Sequence, residues 1–244
     1  MEMGKVKGEL LYEGKAKKMF AVKGRPQEVW VEYKDSLTAF NAQKTGSFAG
    51  KGSINAQITS LLYRRLKEKG VTTHWLEDVN QHEMICQKLK VIPLEVVTRN
   101  RLAGSTAKKL GMQEGTPLAQ PLVEFYYKDD ALGDPFISDD QALMMKAVDV
   151  QKDLDTLKSE ARRINEILRA EFLKAGLELI DFKLEFGRTS DGKIVLADEV
   201  SPDTCRLWDV KTGEKFDKDR FRRDLGRVEE SYKEVLQRLQ KGSV

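Results

Sequence analysis

The chain has 244 residues, 40% of them hydrophobic and 33% charged, with a net charge of +3. This length and composition are typical of one large or two small globular domains, and they exclude a disordered or fibrous protein. The net charge is too small to indicate nucleic-acid binding by itself. Without the apolar run of a signal peptide or of a membrane span, the sequence predicts a cytoplasmic protein with no membrane partner. The two cysteines lack Cys-x-x-Cys spacing and predict neither a disulfide framework nor a zinc site.

The first third of the chain is predicted to be rich in β-strands. Apolar runs between residues 9 and 33 predict three short strands. The turn between the first two carries Gly14, Lys15 and Lys17, and such a hairpin tip can lie over a triphosphate. Glycine permits close approach of the backbone, and the lysines neutralise phosphate charge. An exposed basic turn with no ligand is the alternative.

A glycine-rich loop follows at residues 46–53. It fails the Walker A pattern, because only three residues separate Gly46 from Gly50 and because Gly52 follows the lysine in place of Ser or Thr. Helical spacing of the next apolar residues predicts a helix with Ser53 as its N-cap. The loop is therefore either an anion site at a helix N-terminus or a plain capping loop.

Two further strands are predicted at residues 85–89 and 94–98, separated by residues 91–93. We place a lobe boundary there, between an N-terminal lobe of residues 1–90 and a C-terminal lobe of residues 91–244. Because strands come first and helices mostly later, the order of elements favours the α+β class over a parallel α/β sheet.

The sequence RNRLAGST at residues 99–106 follows the second of these strands and leads into a short helix. Arg99 and Arg101 form a paired fork, and Ser105 adds a hydroxyl beside free backbone N–H groups. This combination suits a phosphate monoester or a carboxylate. Surface salt bridges are the alternative role for the arginines.

Two longer helices are predicted near residues 150–175 and 218–240, because apolar residues recur there at intervals of three and four. His74 and His82 have no other metal-ligand type clustered around them. We interpret both histidines as structural or surface residues.

The most informative segment is a predicted hairpin. Residues 181–186 alternate between polar and apolar side chains, which is the pattern of a half-buried strand. Asp191 and Gly192 predict a two-residue type I′ turn, after which the chain returns as a second strand. In that register Glu185 lies directly opposite Asp198.

Two carboxylates that face each other across a sheet repel. The pair makes physical sense if a divalent cation lies between them, and Mg²⁺ favours one or two carboxylates together with phosphate oxygens. Lys183, on the same face as Glu185, would add a positive charge for a phosphate. A solvated hairpin face is the alternative, but the irregular polar loop at residues 201–206 favours a metal–nucleotide site.

Taken together, these segments resemble the SAICAR synthetases, the phosphoribosylaminoimidazole-succinocarboxamide synthases of purine biosynthesis, over essentially the whole chain. The most specific motifs are at residues 97–105, 181–187 and 198–203. The resemblance implies a two-lobed α+β fold similar to ATP-grasp enzymes, with an antiparallel β-rich N-terminal lobe and a larger α+β C-terminal lobe. ATP is expected in the cleft between them.

The resemblance also implies the reaction and the roles of individual residues. An ATP-dependent ligase would join L-aspartate to the carboxylate of 5-amino-1-(5-phospho-D-ribosyl)imidazole-4-carboxylate (CAIR), giving SAICAR, ADP and phosphate. The expected ATP contacts are Lys15, Lys17, Lys88, Val91, Lys183, Glu185 and Asp198. The last three are the expected catalytic residues, and Glu185 and Asp198 are the expected ligands of Mg²⁺. The expected CAIR contacts are Asn41, Arg99, Ser105, Asp203 and Arg206. Some relatives carry aspartate at the position of Asn41.

A carboxylate is too stable to accept an amine directly, so we expect ATP to convert the CAIR carboxylate to an acyl phosphate that the aspartate amine attacks. A homodimer is expected. A small-molecule kinase of similar fold is the first alternative, while the absence of a His-Arg-Asp catalytic loop disfavours a protein kinase. An RNA-binding protein is the second alternative, disfavoured because acids are interleaved with the basic residues; no nucleic-acid partner is expected.

Overall fold

The computed structural model describes residues 5–39 and 43–242. Its elements, in chain order, are β1 (Lys7–Glu13), β2 (Lys17–Val22), β3 (Glu28–Tyr33), β4 (Ser36–Ala39), β5 (Lys44–Ser47), α1 (Lys51–Glu68), β6 (Trp75–Asp78), β7 (Glu83–Gln87), β8 (Lys90–Arg101), α2 (Gly104–Lys109), β9 (Pro117–Tyr127), β10 (Phe136–Ile137), α3 (Asp139–Met144), α4 (Gln151–Lys174), β11 (Leu177–Arg188), β12 (Ile194–Ala197), β13 (Cys205–Asp209), α5 (Asp219–Arg222) and α6 (Val228–Lys241).

The first sheet is antiparallel, and its strand order is β1-β2-β3-β7-β6. The three strands predicted between residues 9 and 33 are confirmed as β1, β2 and β3. Val31, Met84 and Cys86 form part of a small buried cluster on this sheet, together with Ala56 of α1. The sheet therefore rests on the first long helix.

The second sheet is also antiparallel and has the order β10-β9-β8-β11-β12. β12 and β13 pair with successive parts of the same edge of β11. The long helix α4 packs on this sheet, and its predicted apolar residues Leu157, Ile164 and Phe172 are fully buried. Antiparallel sheets with segregated helices confirm the α+β class.

β8 runs unbroken from Lys90 to Arg101, so the predicted interruption at residues 91–93 is wrong. Pro93 has no N–H to donate, and the pairing of β8 with β11 is irregular between Val91 and Glu95. The carbonyl of Pro93 still accepts a hydrogen bond from the amide of Lys128 at 3.0 Å. The segment is thus an irregularity within one strand rather than a gap between two.

Helix α1 begins at Lys51, two residues before the predicted N-cap Ser53. The cap comes from a distant part of the chain, because the carboxylate of Asp35 accepts hydrogen bonds from the amides of Gly50 (3.1 Å) and Gly52 (2.9 Å). A side chain at residue 52 would meet the carbonyl oxygen of Tyr33 at 2.6 Å, so glycine permits this close approach.

The helix predicted near residues 218–240 is divided into α5 and α6. Between these two helices, Gly226 and Arg227 have positive φ angles of 70° and 51°. Arg220 stabilises this break by donating to the carbonyl of Gly226 at 2.7 Å. A side-chain hydrogen bond within the segment and two left-handed residues therefore interrupt an apolar spacing that is compatible with one helix.

The exact place where the lobes divide stays a proposal. The second sheet contains β8, which starts at Lys90, in keeping with a boundary after residue 90. However, α1 precedes that point and packs its residues Ile58 and Leu62 into the larger core with Leu168 of α4 and Val235 of α6. No helix among the described residues is both long and apolar enough to cross a membrane.

Candidate functional site

An open cavity of about 870 Å³ lies between the two sheets. Its lining combines the β1–β2 turn, β3 and β7 with β8, β11 and the loop that joins β12 to β13. The residues from the sequence prediction that line it are Lys15, Lys17, Val91, Arg99, Ser105, Lys183, Glu185, Asp198, Asp203 and Arg206. Lys88 is exposed outside this lining, although its neighbours Gln87 and Leu89 belong to it. Asn41 lies outside the described residues.

The predicted register of the hairpin is wrong by one residue. Glu185 pairs with Ala197 rather than with Asp198. The amide of Thr189 bonds the carbonyl of Lys193 at 2.9 Å, which leaves a three-residue loop in which Gly192 has φ 85°. Three-residue hairpin loops commonly end in such a left-handed residue, and the Asp-Gly signal did not distinguish this turn from the two-residue type.

The two carboxylates nevertheless converge. Asp198 follows the end of β12 with φ 63°, so its side chain leaves the regular alternation of the strand. Its Oδ2 lies 3.4 Å from Lys183 Nζ, and Oε1 of Glu185 lies 2.5 Å from the same nitrogen. A left-handed residue thus brings together the two acids that the predicted register would have paired directly.

Further lysines and acids surround this point. Lys17 contacts Asp198 and lies 2.8 Å from Glu199, and Lys183 lies 3.3 Å from Glu95. Burial by itself would raise the pKa of Asp198, but the ammonium groups of Lys17 and Lys183 hold it well below its usual range. Asp198 is therefore a carboxylate at neutral pH.

Lys128 completes this group by pairing with the buried carboxylate of Glu185. It lies just after β9, where neither periodicity nor a motif marks it, and the sequence prediction missed it. We refer to Lys17, Lys128, Lys183, Glu95, Glu185, Asp198 and Glu199 as the lysine–carboxylate cluster.

Lys15 lies at the mouth of the cavity. Its ammonium is 2.7 Å from the carboxylate of Asp130, in the segment between β9 and β10. Both side chains are largely exposed, so solvent screens this pair. The ion pair with Asp130 is therefore weak and leaves Lys15 able to contact a ligand in the cavity.

The arginine side of the cavity lies across three neighbouring strands. Asp181 of β11 pairs in register with Arg99 of β8 and with Arg206 of β13. Its carboxylate lies 2.6 Å from Arg99 and 2.9 Å from Arg206, while Glu124 lies 2.7 Å from the other side of Arg99. Arg99 is thus buried among acids, so surface salt bridging does not describe it.

The row of charges continues into α5. Asp219 lies 3.0 Å from Arg206 and 2.8 Å from Arg222, a residue that also lines the cavity. We refer to Glu124, Arg99, Asp181, Arg206, Asp219 and Arg222 as the arginine ladder. Arg101 is not part of it, because the β8–β9 register shifts between Arg99 and Arg101, and Arg101 instead pairs with Glu178. The paired arginine fork is therefore wrong.

Gly104 lets the guanidinium of Arg206 lie against the start of α2. A side chain at this position, which has φ 61°, would meet Arg206 Nη2 at 2.5 Å. Within the described residues this Nη2 has no hydrogen-bond acceptor, since Asp181 and Asp219 take the Nη1 and Nε hydrogens. Ser105 is exposed beside it in the lining.

Asp203 lines the same cavity, in the loop between β12 and β13. It accepts from Lys51 at 2.5 Å, Asn55 at 3.0 Å and Tyr232 at 2.7 Å. Burial acts to raise its pKa, but the charges of Lys51 and Lys218 lower it to about 2.

Lys218, another residue that the sequence prediction missed, lines the cavity just before α5. Burial lowers its pKa, and no described carboxylate forms an ion pair with it. Its position after the irregular segment gave no periodic signal. The charge of Asp203 partly offsets this lowering, so an anion bound beside Lys218 would further favour its charged form.

His74 was predicted to be structural or on the surface, and it is buried in the cavity lining. Burial lowers its pKa to about 4, so the ring is neutral at pH 7. Its Nε2 has no hydrogen-bond partner among the described residues. His82 is exposed, and Cys86 and Cys205 are buried free thiols.

The acids of the cavity suit magnesium better than a metal held by protein ligands alone. The described residues contain no group of three or more His, Cys, Asp or Glu that could hold a metal ion. Mg²⁺ usually needs only one or two carboxylates, because substrate phosphates and water supply its other ligands. Glu185 and Asp198 fit that requirement.

The sequence of the chain matches the family model for SAICAR synthetase over residues 10–239. The chain belongs to the SAICAR synthetase family. It is 54% identical to the phosphoribosylaminoimidazole-succinocarboxamide synthase of Bacillus cytotoxicus, covering 95% of this chain and 96% of that protein.

Solved structures of the family have the same fold. The phosphoribosylaminoimidazole-succinocarboxamide synthase of Ehrlichia chaffeensis matches with a TM-score of 0.92 at 43% identity, covering 95% of this chain and 98% of the other. A SAICAR synthetase in complex with ADP matches with a TM-score of 0.90 at 44% identity, covering 95% and 97%. The expected SAICAR synthetase-like fold is therefore confirmed.

Proposed function

We propose that this member of the SAICAR synthetase family is an ATP-dependent ligase of purine biosynthesis that joins L-aspartate to CAIR. The products are SAICAR, ADP and phosphate. The observation that carries the proposal is that one cavity contains both the lysine–carboxylate cluster and the arginine ladder. The first is suited to a metal–nucleotide and the second to an anionic co-substrate.

The nucleotide is assigned to the lysine–carboxylate cluster. Lys15 and Lys17 lie at or beside the β1–β2 turn and would contact the phosphates, while Val91 and the segment around Lys88 would border the adenine. Glu185 and Asp198 would hold Mg²⁺, which supplies charge neutralisation at the phosphates. Lys183 lies between these two acids and is placed to reach the transferred phosphoryl group.

CAIR is assigned to the arginine ladder. Arg99 and Arg206 present planar donors, and the unused Nη2 of Arg206 lies beside Ser105, where the ribose phosphate would fit. Asp203 lies in the same lining and would contact the polar part of the substrate; Asn41 stays a proposed contact. With CAIR bound in this way, its carboxylate would face the nucleotide.

L-aspartate carries two carboxylates, and Lys218 offers the cation for one of them. It is the lining lysine without an ion pair among the described residues, and Arg222 lies in the same lining. Binding there would place the aspartate amine between the two halves of the cavity.

The chemistry requires activation of a carboxylate. Transfer of the γ-phosphoryl group to a CAIR carboxylate oxygen breaks the bond to ADP and forms an acyl phosphate. The aspartate amine then attacks the acyl carbon, phosphate leaves, and the amine loses a proton. The lysines of the cluster stabilise negative charge on the phosphoryl oxygens during transfer.

A direct test is mass analysis of the product after incubation with ATP, Mg²⁺, CAIR and isotopically labelled aspartate. We expect one ADP for each labelled succinocarboxamide. A stable phosphorylated ribonucleotide with the label left in free aspartate would instead identify a small-molecule kinase. The proposal includes a cytoplasmic location and a homodimer, and gel filtration tests the latter.

A further inference from the structure

Two consecutive carbonyl groups at the end of β12 accept hydrogen bonds from buried donors outside the hairpin. The carbonyl of Leu196 accepts from the amide of His74 at 2.8 Å, and that of Ala197 accepts from the hydroxyl of Tyr63 at 2.8 Å. The Asp198 backbone also lies beside the His74 ring, where it acts to raise the pKa of that ring. Because Nε2 of His74 has no described partner, we assign Nδ1 as the ring atom that donates to the Asp198 backbone.

These donors come from a buried part of the molecule. Tyr63 belongs to α1 and is fully buried, and its ring meets the His74 ring edge-on at 6.0 Å. The segment before β6 is itself tied to β12, since the amide of Leu196 bonds the carbonyl of Thr72 at 3.1 Å. The end of β12 is therefore held from α1 and from the segment leading into β6.

The conformation held there determines where Asp198 points. In an extended strand Asp198 would face the opposite side from Ala197, which pairs with Glu185. Its left-handed conformation (φ 63°) instead turns the carboxylate towards Lys183 and Lys17. The left-handed conformation is less favourable for a residue with a side chain than for glycine. It therefore persists where surrounding contacts impose it.

We propose that Tyr63 and His74 are positioning residues that hold Asp198 in its left-handed conformation and so set the second carboxylate of the metal–nucleotide centre. The identity of the ligand rests on the proposed function, whereas the holding of Asp198 rests on the hydrogen bonds alone. A role confined to stability would leave the response of nucleotide binding to magnesium unchanged.

The test is calorimetric titration of ADP into Tyr63→Phe across a magnesium series that starts from metal-free buffer. This change removes one hydroxyl and keeps the ring. We expect the metal-free ADP affinity to stay as in the wild type. The magnesium gain, which is the factor by which magnesium increases ADP affinity, should fall roughly three- to tenfold, the size of one net hydrogen bond. An unchanged magnesium gain would overturn the proposal.

Substitutions at His74 provide a second measurement. The amide of His74→Asn can replace the Nδ1 donor, whereas His74→Leu cannot. We expect the Asn variant to keep more of the magnesium gain than the Leu variant. Equal behaviour of the two would contradict the role of the imidazole donor.

Ser60→Ala is the matched control, because Ser60 lies on the same helix and its hydroxyl bonds Asp78, outside the cavity. A loss of magnesium gain in this control as large as in Tyr63→Phe would also overturn the proposal.

Crystal structures of Tyr63→Phe and His74→Leu give a readout independent of turnover. Asp198 is expected to leave its left-handed conformation in them, and an unmoved carboxylate would refute positioning even if the enzyme makes SAICAR. Conversely, a displaced Asp198 in a protein whose wild type makes no succinocarboxamide would refute only the proposed function.

Discussion

The two halves of the cavity differ in the balance and arrangement of their acidic and basic side chains. In the lysine–carboxylate cluster, Lys17, Lys128 and Lys183 face Glu95, Glu185, Asp198 and Glu199, which leaves one more acid than base. In the arginine ladder each guanidinium alternates with a carboxylate.

Under the proposed function, this difference indicates how each half would bind its ligand. A cluster with surplus negative charge repels a bare nucleotide and accepts one that brings a divalent cation. A balanced ladder has little net charge to attract an anion and recognises it through fixed donors that its own acids leave unused. Ligand binding at the lysine–carboxylate cluster should depend on the concentrations of metal and salt. Ligand binding at the arginine ladder should depend on the geometry of the donor side chains.

Removing one acid from the cluster should have the largest effect. We expect Glu185→Gln to lower turnover by about 100-fold or more, because the variant loses a proposed metal ligand and leaves Lys128 without its acid. Steady-state kinetics across a magnesium series would measure this, with circular dichroism to check the fold. Glu178→Gln is the matched control, since Glu178 lies on the same strand and pairs with Arg101 outside the lining. Wild-type turnover in Glu185→Gln would remove the proposed distinction between the halves.

Changing the donor geometry of the ladder should have the next largest effect. Arg99→Lys keeps the charge but loses the planar fork that bridges Glu124 and Asp181. We expect the KM for CAIR to rise roughly ten- to hundredfold, as for a lost charge-assisted hydrogen bond, while the KM for ATP changes little.

The control is Arg101→Lys, two residues along the same strand and outside the lining. It should leave both KM values near those of the wild type. Equal rises in the KM values for CAIR and ATP in Arg99→Lys would indicate that the ladder serves both ligands.

The turn at the mouth of the cavity should show a smaller effect. We expect Lys15→Ala to weaken ADP binding roughly three- to tenfold, as for one exposed charge-assisted contact. Its pair with Asp130 is exposed, so the free energy of unfolding should change by no more than about 0.5 kcal/mol. Lys18→Ala, at a residue outside the lining, is the control. A lower free energy of unfolding with unchanged ADP affinity would make the turn structural.

Local sequence patterns correctly predicted the strands and helices that are determined by burial of one face. Alternation predicted β11, and three- and four-residue spacing predicted α4, because burial of one face determines both. Boundaries set by side-chain hydrogen bonds were missed: the carboxylate of Asp35, from an earlier segment, caps the start of α1, and the side chain of Arg220 bonds Gly226 at the break between α5 and α6. No local pattern contains such contacts.

The candidate site shows the same division. The motifs around Arg99 and Glu185 are contiguous and were found, whereas Lys128, Lys218 and His74 come from separate segments that only the fold brings to the cavity. The convergence of Glu185 with Asp198 was predicted through a register that is wrong. It depends on one left-handed residue, which alternation of side chains does not predict.

A buried acid beneath the ladder gives the prediction with the smallest expected effect on turnover. Asp217 is fully buried and accepts hydrogen bonds from the amides of Leu207 (2.9 Å) and Asp219 (2.7 Å). Burial, assisted by the nearby charge of Asp219, raises its pKa to about 7. It does not line the cavity, so Asp217→Asn, which keeps one of the two oxygen acceptors, should change turnover little.

The stability of the wild type should nevertheless depend on pH through this residue. Between the ordinary pKa of an aspartate, 3.8, and about 7, the folded protein holds a proton on Asp217 that the unfolded chain has released. The contribution of Asp217 to the free energy of unfolding is therefore fully present below about pH 4 and falls as pH rises to about 7. Urea unfolding of wild type and Asp217→Asn across that range should give a difference that shifts steadily in favour of the variant. A difference independent of pH would mean that Asp217 is ionised throughout, and the ladder would then rest on a buried charge rather than on a neutral acid.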